Sequence, residues 1–375
     1  MQPPAVPSHI QRLRPYVPGK PIEEVQREFG LTDVVKLASN ENPLGPSPRA
    51  VEAIRQAIAG NLGLYPDGAC FSLTRALAER WNVPQEQLVL GNGSDEIIAS
   101  LGLVYLGPGS EVLSCHPTFV QYEAAARLNQ AEYVTAPLRD HRYDLDALAD
   151  LLAPQTRLVF IANPNNPTGS IVRRAELERF LNRCPETALV VLDEAYFEYA
   201  DDPEYPDGLD YVREGRNVIV LRTFSKIYAL AALRVGYGIS RPEIIRALHQ
   251  VRQPFNVNTL AQVAALASLD DPEQVTRSRR ANAAGAHTLY QAFERLGLPY
   301  VETHANFVLF DLRKTARPYF EALLRRGVIV RCGDALGLPT CLRVTIGRPE
   351  DNARFLAALE ELLAGPLDQA DVRAA

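Results

Sequence analysis

The sequence lacks the features that mark membrane, secreted and nucleic-acid-binding proteins. Its 375 residues include five cysteines, an odd number without a CxxC pair, so neither a disulfide framework nor a zinc or other metal site is expected. Apolar runs such as LVFIA and ALVVL are far shorter than the roughly 20 residues of a membrane span. The net charge of −6 offers no broad basic face for nucleic acid or an anionic membrane.

The sequence also lacks the pattern of a signal peptide and the common nucleotide-binding motifs. The N-terminus has no apolar segment of the kind found in signal peptides, and reduced cysteines favour a cytoplasmic location. The phosphate-binding patterns GxGxxG and GxxxxGK[ST] do not occur, which argues against a nucleotide-binding α/β enzyme.

What the sequence does contain is an alternation of short apolar runs with segments of helical periodicity. Nearly continuous apolar runs are typical of buried parallel strands, and their alternation with helices predicts an α/β sheet with crossover helices. The predicted strands span 87–90, 110–114, 157–162, 188–192 and 217–221. The predicted helices span 47–59, 71–81, 95–105, 117–128, 144–152 and 173–183.

The pattern changes after about residue 255, which predicts a second, smaller α+β domain. An alanine-rich helical region, 259–296, precedes alternating strands and helices at 306–310, 316–326, 327–330, 342–346 and 350–363. We therefore expect an N-terminal arm at 1–39, a large domain at 40–258 and a small domain at 259–375.

Polar residues follow each predicted strand, where ligands bind in open α/β sheets. GNGSDEII, after the first strand, is either a turn with a serine cap or an anion cup built from backbone N–H groups. Phe119 is either a core residue or a face for a flat ligand ring, and Asn166 lies in the rigid loop NPNNPTG. Asp193 ends an apolar strand, where a carboxylate requires a cation, and Tyr196 follows it by three positions.

The last of these strands is followed by TFSKIYALAALRVG. Lys226 lies beside an apolar wall that can lower its pKa and leave a nucleophilic amine, although a solvated lysine is the simpler interpretation. Thr223, Ser225 and Arg234 lie close to it and offer anion-binding groups. Together the strand ends suit an aromatic ring with a phosphate, a phenolic oxygen, a ring nitrogen and an aldehyde, which is pyridoxal 5'-phosphate.

The motifs NPNNPTG, DEAY and TFSKIYALAALRVG resemble those of the fold-type-I aminotransferases. RPYVPGKPIEEV, KLASNENPLGPSP, YPDG, GNGSDEII, ANFVLF and LRVTIG extend the resemblance to the histidinol-phosphate aminotransferases. It implies a fold-type-I α/β architecture, with a mostly parallel seven-stranded sheet in a large cofactor-binding domain and a smaller α+β domain.

The resemblance also implies a role for each site residue. Lys226 would form the Schiff base and move the proton, Asp193 would pair with the ring nitrogen, and Tyr196 would bind the phenolic oxygen with Asn166. The implied phosphate ligands and ring contact are Gly93, Ser94, Asp95, Thr223, Ser225 and Arg234, with Phe119 stacking on the ring. The implied substrate contacts are Tyr16, Asn42, Asn166, Arg331 and Arg343.

Two expectations concern partners. The resemblance implies that Tyr65 reaches the phosphate of a partner subunit, so a homodimer with shared active sites is expected. It also implies transfer of an amino group from L-histidinol phosphate to 2-oxoglutarate, giving imidazole-acetol phosphate and L-glutamate, a ping-pong reaction of histidine biosynthesis. Arg331 is equally consistent with a role as a second phosphate-binding arginine and with a surface ion pair.

Other functions remain open from the sequence alone. An aromatic amino-acid aminotransferase and a relative of threonine-phosphate decarboxylase share most of these motifs. A regulator that binds pyridoxal phosphate without turnover is a more remote alternative, since both Lys226 and Asp193 are present.

Overall fold

The computed structural model describes residues 4–11, 13, 15, 19–60 and 62–365. In these ranges the chain forms twelve β-strands and fourteen α-helices. The strands are β1 (Val35–Lys36), β2 (Leu88–Gly91), β3 (Glu111–His116), β4 (Glu132–Pro137), β5 (Thr156–Ala162), β6 (Leu189–Asp193), β7 (Val218–Thr223), β8 (Gly236–Ile239), β9 (Phe307–Asp311), β10 (Val328–Ile329), β11 (Arg331–Cys332) and β12 (Cys341–Thr345). The helices are α1 (Ser8–Gln11), α2 (Ile22–Phe29), α3 (Pro48–Ile58), α4 (Phe71–Trp81), α5 (Ser94–Tyr105), α6 (Gln121–Leu128), α7 (Leu145–Ala149), α8 (Arg174–Arg183), α9 (Gly208–Arg213), α10 (Pro242–Val251), α11 (Thr259–Leu269), α12 (Pro272–Arg295), α13 (Arg317–Arg325) and α14 (Pro349–Ala364).

A seven-stranded sheet forms the centre, in the order β2-β8-β7-β6-β5-β3-β4. β8 runs antiparallel to both of its neighbours, and the other pairs are parallel, so the predicted mostly parallel sheet is confirmed. Successive residues of β6 join different cores: Val190 belongs to one and Val191 to the other. Helices therefore bury both faces of the sheet, which explains the continuous apolar runs.

The five strands expected in this sheet are present, with their ends shifted by one or two residues. Two further strands, β4 and β8, were not predicted from the sequence. β4 is an edge strand with one buried residue, so it has no apolar run. β8 contains two glycines, which resemble a turn signal. A Cβ on Gly236 would lie 2.6 Å from the backbone nitrogen of Ser94, so glycine permits the close approach of β8 to α5.

Helix ends follow local capping chemistry. Asn258 caps α11 by accepting a hydrogen bond from the backbone of Ala261 at 2.9 Å. The helical region expected at 259–296 is two helices, because Asp271 caps a new helix that has Pro272 in its first turn.

The helix expected at 117–128 begins only at Gln121, since the preceding residues form a loop at the sheet edge. No helix in the described part of the chain is long and apolar enough to cross a membrane.

A third core surrounds the three-stranded sheet β11-β12-β9 and includes side chains of α12, α13 and α14. The N-terminal segment joins it, because β1 pairs in parallel with β10, with Val35 opposite Val328. α11 instead packs in the core that contains Val190, through Ala261 and Ala264. The limits 1–39, 40–258 and 259–375 remain a proposal for how the chain divides into domains.

Candidate active site

A cavity of about 370 Å³ opens at the carboxyl ends of β5, β6 and β7, the edge predicted to bind a ligand. The three-stranded sheet closes its other side through β11 and β12. Twelve of the predicted site residues line it: Ser94, Asp95, Phe119, Asn166, Asp193, Tyr196, Thr223, Ser225, Lys226, Arg234, Arg331 and Arg343. The fold thus brings together residues spread over 250 positions, since Ser94 lies 249 positions before Arg343.

Lys226 brings a buried amine into the cavity. Its Nζ donates a 3.4 Å hydrogen bond to the carbonyl oxygen of Ser39 and lies 5.6 Å from the ring centre of Tyr196. Removal from bulk water, with the positive charge of Arg343, lowers the pKa of Lys226 to about 8. A substantial neutral fraction is therefore present near physiological pH, and only the neutral form is a nucleophile or a base.

Asp193 presents a buried carboxylate to the cavity. Tyr122 donates to its Oδ2 at 2.7 Å, and the backbone N–H of Ala195 donates to Oδ1 at 3.2 Å. Burial raises the pKa of Asp193 to about 6, although the Tyr122 hydrogen bond acts in the opposite direction. Among the described residues no lysine, arginine or histidine forms an ion pair with it, so this carboxylate suits a positively charged N–H group of a ligand.

The first turn of α5 forms one end of the cavity. Gly93 precedes this turn with φ of +79°, and a Cβ there would lie 2.5 Å from Nη2 of Arg234. Backbone N–H groups at a helix N-terminus, a nearby guanidinium and the hydroxyls of Thr223 and Ser225 together make an anion site. Arg234 also contacts Asp95 at 3.4 Å, and burial raises the pKa of Asp95.

Tyr196 is held by Asn40, which sequence reasoning did not identify, and Asn166 is held by Arg343, which it did. The side-chain amide of Asn40 donates to the Tyr196 hydroxyl at 2.8 Å. Arg343 donates to the amide oxygen of Asn166 and, at 2.8 Å, to the carbonyl oxygen of Ala38. The segment 38–40 therefore links the Tyr196 and Arg343 sides of the cavity.

Arg331 and Arg343 form a cationic pair. They are opposite each other in the antiparallel register of β11 and β12, so their side chains leave the same face of the sheet. Both line the cavity that contains Lys226, and Arg343 is buried. Two arginine side chains that line one cavity suit a ligand with more than one negative charge.

Four predicted residues lie elsewhere. Gly93 contributes backbone at the start of α5 rather than a cavity wall. Asn42 is buried behind Lys226, where its amide donates to the carbonyl oxygen of Ile227 and to Ser278, both at 2.8 Å. Tyr65 is 81% exposed and stacks on Phe255, with 4.6 Å between ring centres. Tyr16 lies outside the described residues.

Sequence reasoning missed a buried polar network beside the cavity. Thr118 donates to the amide oxygen of Asn165 at 2.8 Å and shares a 2.7 Å hydrogen bond with the Tyr143 hydroxyl. This contact joins the loops that carry Phe119 and Asn166. The only sequence signal is that Thr118 and Asn165 immediately precede the predicted site residues Phe119 and Asn166; Tyr143 has none.

Comparisons with known proteins agree with this geometry. The family model for aminotransferase class I and II matches residues 32–359. Histidinol-phosphate aminotransferase from Moorella thermoacetica is 55% identical over 95% of this chain and 92% of its own length. The structure of histidinol-phosphate aminotransferase from Sinorhizobium meliloti in complex with pyridoxal-5'-phosphate is similar, with a TM-score of 0.88 and 29% identity over 95% of this chain and 97% of that one. L-threonine-O-3-phosphate decarboxylase from Porphyromonas gingivalis is similar with a TM-score of 0.78 and 25% identity, over 88% of this chain and 100% of that one.

Proposed function

The chain belongs to the aminotransferase class I and II family, and from that premise we propose the reaction that it catalyses. It transfers the amino group of L-histidinol phosphate to 2-oxoglutarate, with pyridoxal phosphate as cofactor, and forms imidazole-acetol phosphate and L-glutamate. The similarity to histidinol-phosphate aminotransferases over most of the chain supports this reaction. The structural observation that carries it is the Arg331–Arg343 pair in the Lys226 cavity.

The cavity suits pyridoxal phosphate at both ends. The buried Asp193 carboxylate fits a protonated ring nitrogen, and the first turn of α5, which Gly93 precedes, fits a phosphate. Phe119 supplies an apolar face, and Tyr196 and Asn166 offer hydrogen-bonding groups. The residues proposed for the phosphate are Gly93, Ser94, Asp95, Thr223, Ser225 and Arg234. When bound, the cofactor supplies an electron-withdrawing ring that stabilises the charge left when the substrate carbon loses its proton.

Lys226 performs the acid–base work in this proposal. Its neutral Nζ takes the proton from the amine-bearing carbon of the donor, and the ammonium group so formed would deliver that proton to the carbon of the cofactor that bears the aldehyde. Arg343 and burial keep the amine from being fully charged near neutral pH, since both lower its pKa. Acid–base catalysis of this kind contributes about 10²–10⁴ in rate.

The substrate end distinguishes the candidate reactions. A phosphate monoester carries up to two negative charges, which matches two guanidinium groups on one face of the sheet. A single carboxylate, as in an aromatic amino acid, needs only one of them. The threonine-phosphate decarboxylase alternative shares the phosphate and is separated from the aminotransferase by its product, carbon dioxide.

We also propose a homodimer with shared active sites. Exposed apolar side chains cluster along the segment before α4 and near Phe255, namely Leu62, Leu64, Tyr65, Phe71 and Phe255. Tyr65 does not line the cavity of its own chain among the described residues, so a second copy is what could bring it to a phosphate. Mixing inactive Tyr65→Ala and Lys226→Ala variants would then restore about a quarter of the activity, because half of the random dimers contain one intact site. No recovery on mixing would contradict the shared site.

A single half-reaction tests the proposed function. The purified protein with its cofactor is mixed with L-histidinol phosphate without a keto acid, and the visible absorbance of the bound cofactor is followed. We expect conversion to the pyridoxamine form at low donor concentration, with far more phenylalanine required. Conversion by aromatic amino acids alone would assign a different substrate, and release of carbon dioxide from phosphothreonine would favour the decarboxylase.

The cytoplasmic location expected from the sequence is supported by the five free cysteines.

A further inference from the structure

Tyr122 contacts the cavity from the first turn of α6, although no motif identifies it. Its side chain is completely buried, and its hydroxyl donates to Oδ2 of Asp193 at 2.7 Å. Burial, together with the adjacent Asp193 carboxylate, raises the pKa of Tyr122 well above its ordinary value, so the hydroxyl keeps its proton. Tyr122 is therefore a permanent hydrogen-bond donor to the carboxylate.

The phenol ring of Tyr122 is fixed by two other aromatic rings. It stacks on Phe160 of β5, with 4.4 Å between ring centres and 8° between planes. It meets Phe119 edge to face, with 5.6 Å between centres and 83° between planes. One rigid side chain thus touches both the proposed partner of the ring nitrogen and the proposed stacking face of the cofactor.

We propose that Tyr122 is a positioning residue that holds the Asp193 carboxylate in the orientation and the charged form required to bind the protonated ring nitrogen of the cofactor. This inference rests on the proposed function, because it assumes that pyridoxal phosphate occupies the cavity. The backbone N–H of Ala195 holds the other carboxylate oxygen, so the two donors together limit rotation of the group.

The hydroxyl acts through charge as well as orientation. The nearest charged groups facing Asp193 are Asp95, which opposes its ionisation, and Lys226, which favours it. A hydrogen bond from a neutral donor favours the carboxylate without adding a charge. Losing it would allow the ring-nitrogen proton to move toward Asp193 and would weaken the interaction with the ring.

Tyr122→Phe tests this idea, because it removes the hydroxyl and keeps the ring that packs on Phe160 and Phe119. The matched control is Tyr211→Phe, since the buried Tyr211 hydroxyl has no hydrogen-bond partner among the described residues. Each full-length apoprotein is titrated with pyridoxal phosphate and with 1-deazapyridoxal phosphate, the analogue that has a carbon in place of the ring nitrogen. Thermal unfolding of the apoproteins reports on folding.

We expect Tyr122→Phe to weaken binding of pyridoxal phosphate by about tenfold, as for a hydrogen bond to a charged group, and to bind the deaza analogue as the wild type does. Tyr211→Phe should bind both compounds normally. Equal losses for both compounds would make Tyr122 a merely structural residue, and no loss for either would also overturn the proposal. If the wild type binds neither compound, the proposed function itself fails. No amino donor is present, so the result does not depend on the substrate assignment.

Discussion

Replacing Arg331 with glutamine separates a phosphate-binding site from one that serves only carboxylates. Arg331 is half-buried and shares its sheet face and its cavity with Arg343. Glutamine keeps much of the side-chain volume and removes the charge and the paired N–H donors. The buried Arg343 remains to bind one negative charge, so the variant should still recognise small anionic substrates.

The magnitude follows from the kind of contact that is lost. A hydrogen bond to a charged group contributes about 1.5–3 kcal/mol. At about 1.4 kcal/mol per factor of ten, KM for L-histidinol phosphate should rise roughly 10- to 150-fold. Because the lost contact is made equally in the ground state and the transition state, kcat should change little.

The assay compares two donors that differ only in the phosphate. Steady-state rates are measured with L-histidinol phosphate and with L-histidinol. Arg331→Gln should raise KM for the first and leave the second unaffected. Arg326→Gln is the matched control, because Arg326 lies outside the cavity and pairs with Glu361 at 2.9 Å. A KM for L-histidinol phosphate within about twofold of the wild type, or an equal change for both donors, would refute the reasoning.

Three further predictions concern the cofactor site and the core. Capture of pyridoxal phosphate by the apoprotein should accelerate about tenfold from pH 7 to pH 9, because Lys226, with a pKa of about 8, is mostly protonated below that value and neutral above it. Stopped-flow absorbance measures this rate, and a flat profile would contradict it. Gly93→Ala should weaken binding of pyridoxal phosphate by at least about tenfold in equilibrium dialysis and leave binding of pyridoxal unchanged. The added Cβ would collide with the guanidinium of Arg234 at the phosphate site, and the backbone at this position has positive φ. Arg222→Met should lower the free energy of unfolding, measured in urea, by about 3–5 kcal/mol, because it leaves the buried Glu194 carboxylate without its cation. The control Arg174→Met removes an exposed arginine and should lower the free energy of unfolding by less than about 1 kcal/mol. Equal losses for both would count against the assigned role of the buried pair.

Much of the sheet and of the cavity could be predicted because the relevant information is local. Continuous apolar runs identify strands that are covered on both faces, and the ligand edge follows from their parallel arrangement. Asp193 stood out because a carboxylate directly after such a run is costly to bury without a partner, and Lys226 because an amine beside an apolar wall can have a lowered pKa. The same reasoning fails for β8, where glycines serve a close backbone approach and weaken the apolar pattern.

The contacts that orient the site residues could not be predicted, because they join positions far apart in the chain. Tyr122 and Asp193 are 71 positions apart, and Asn40 and Tyr196 are 156 apart. Nothing in the composition near Tyr122 distinguishes it from a core tyrosine. Arg331 was equally ambiguous, because its position opposite Arg343 follows from the register of β11 and β12, which the sequence does not show.

Arg343 couples the substrate end of the cavity to the reactive amine. It is the largest contribution after desolvation to the lowered pKa of Lys226, and it faces the cavity where a substrate anion would bind. A substrate phosphate bound at Arg343 would offset part of the field of this guanidinium at Nζ, so the pKa of Lys226 would rise when the substrate is in place. An empty cavity therefore favours the neutral, nucleophilic amine needed to capture the cofactor. Arg343 therefore affects the protonation of Lys226 in addition to its proposed contact with the substrate.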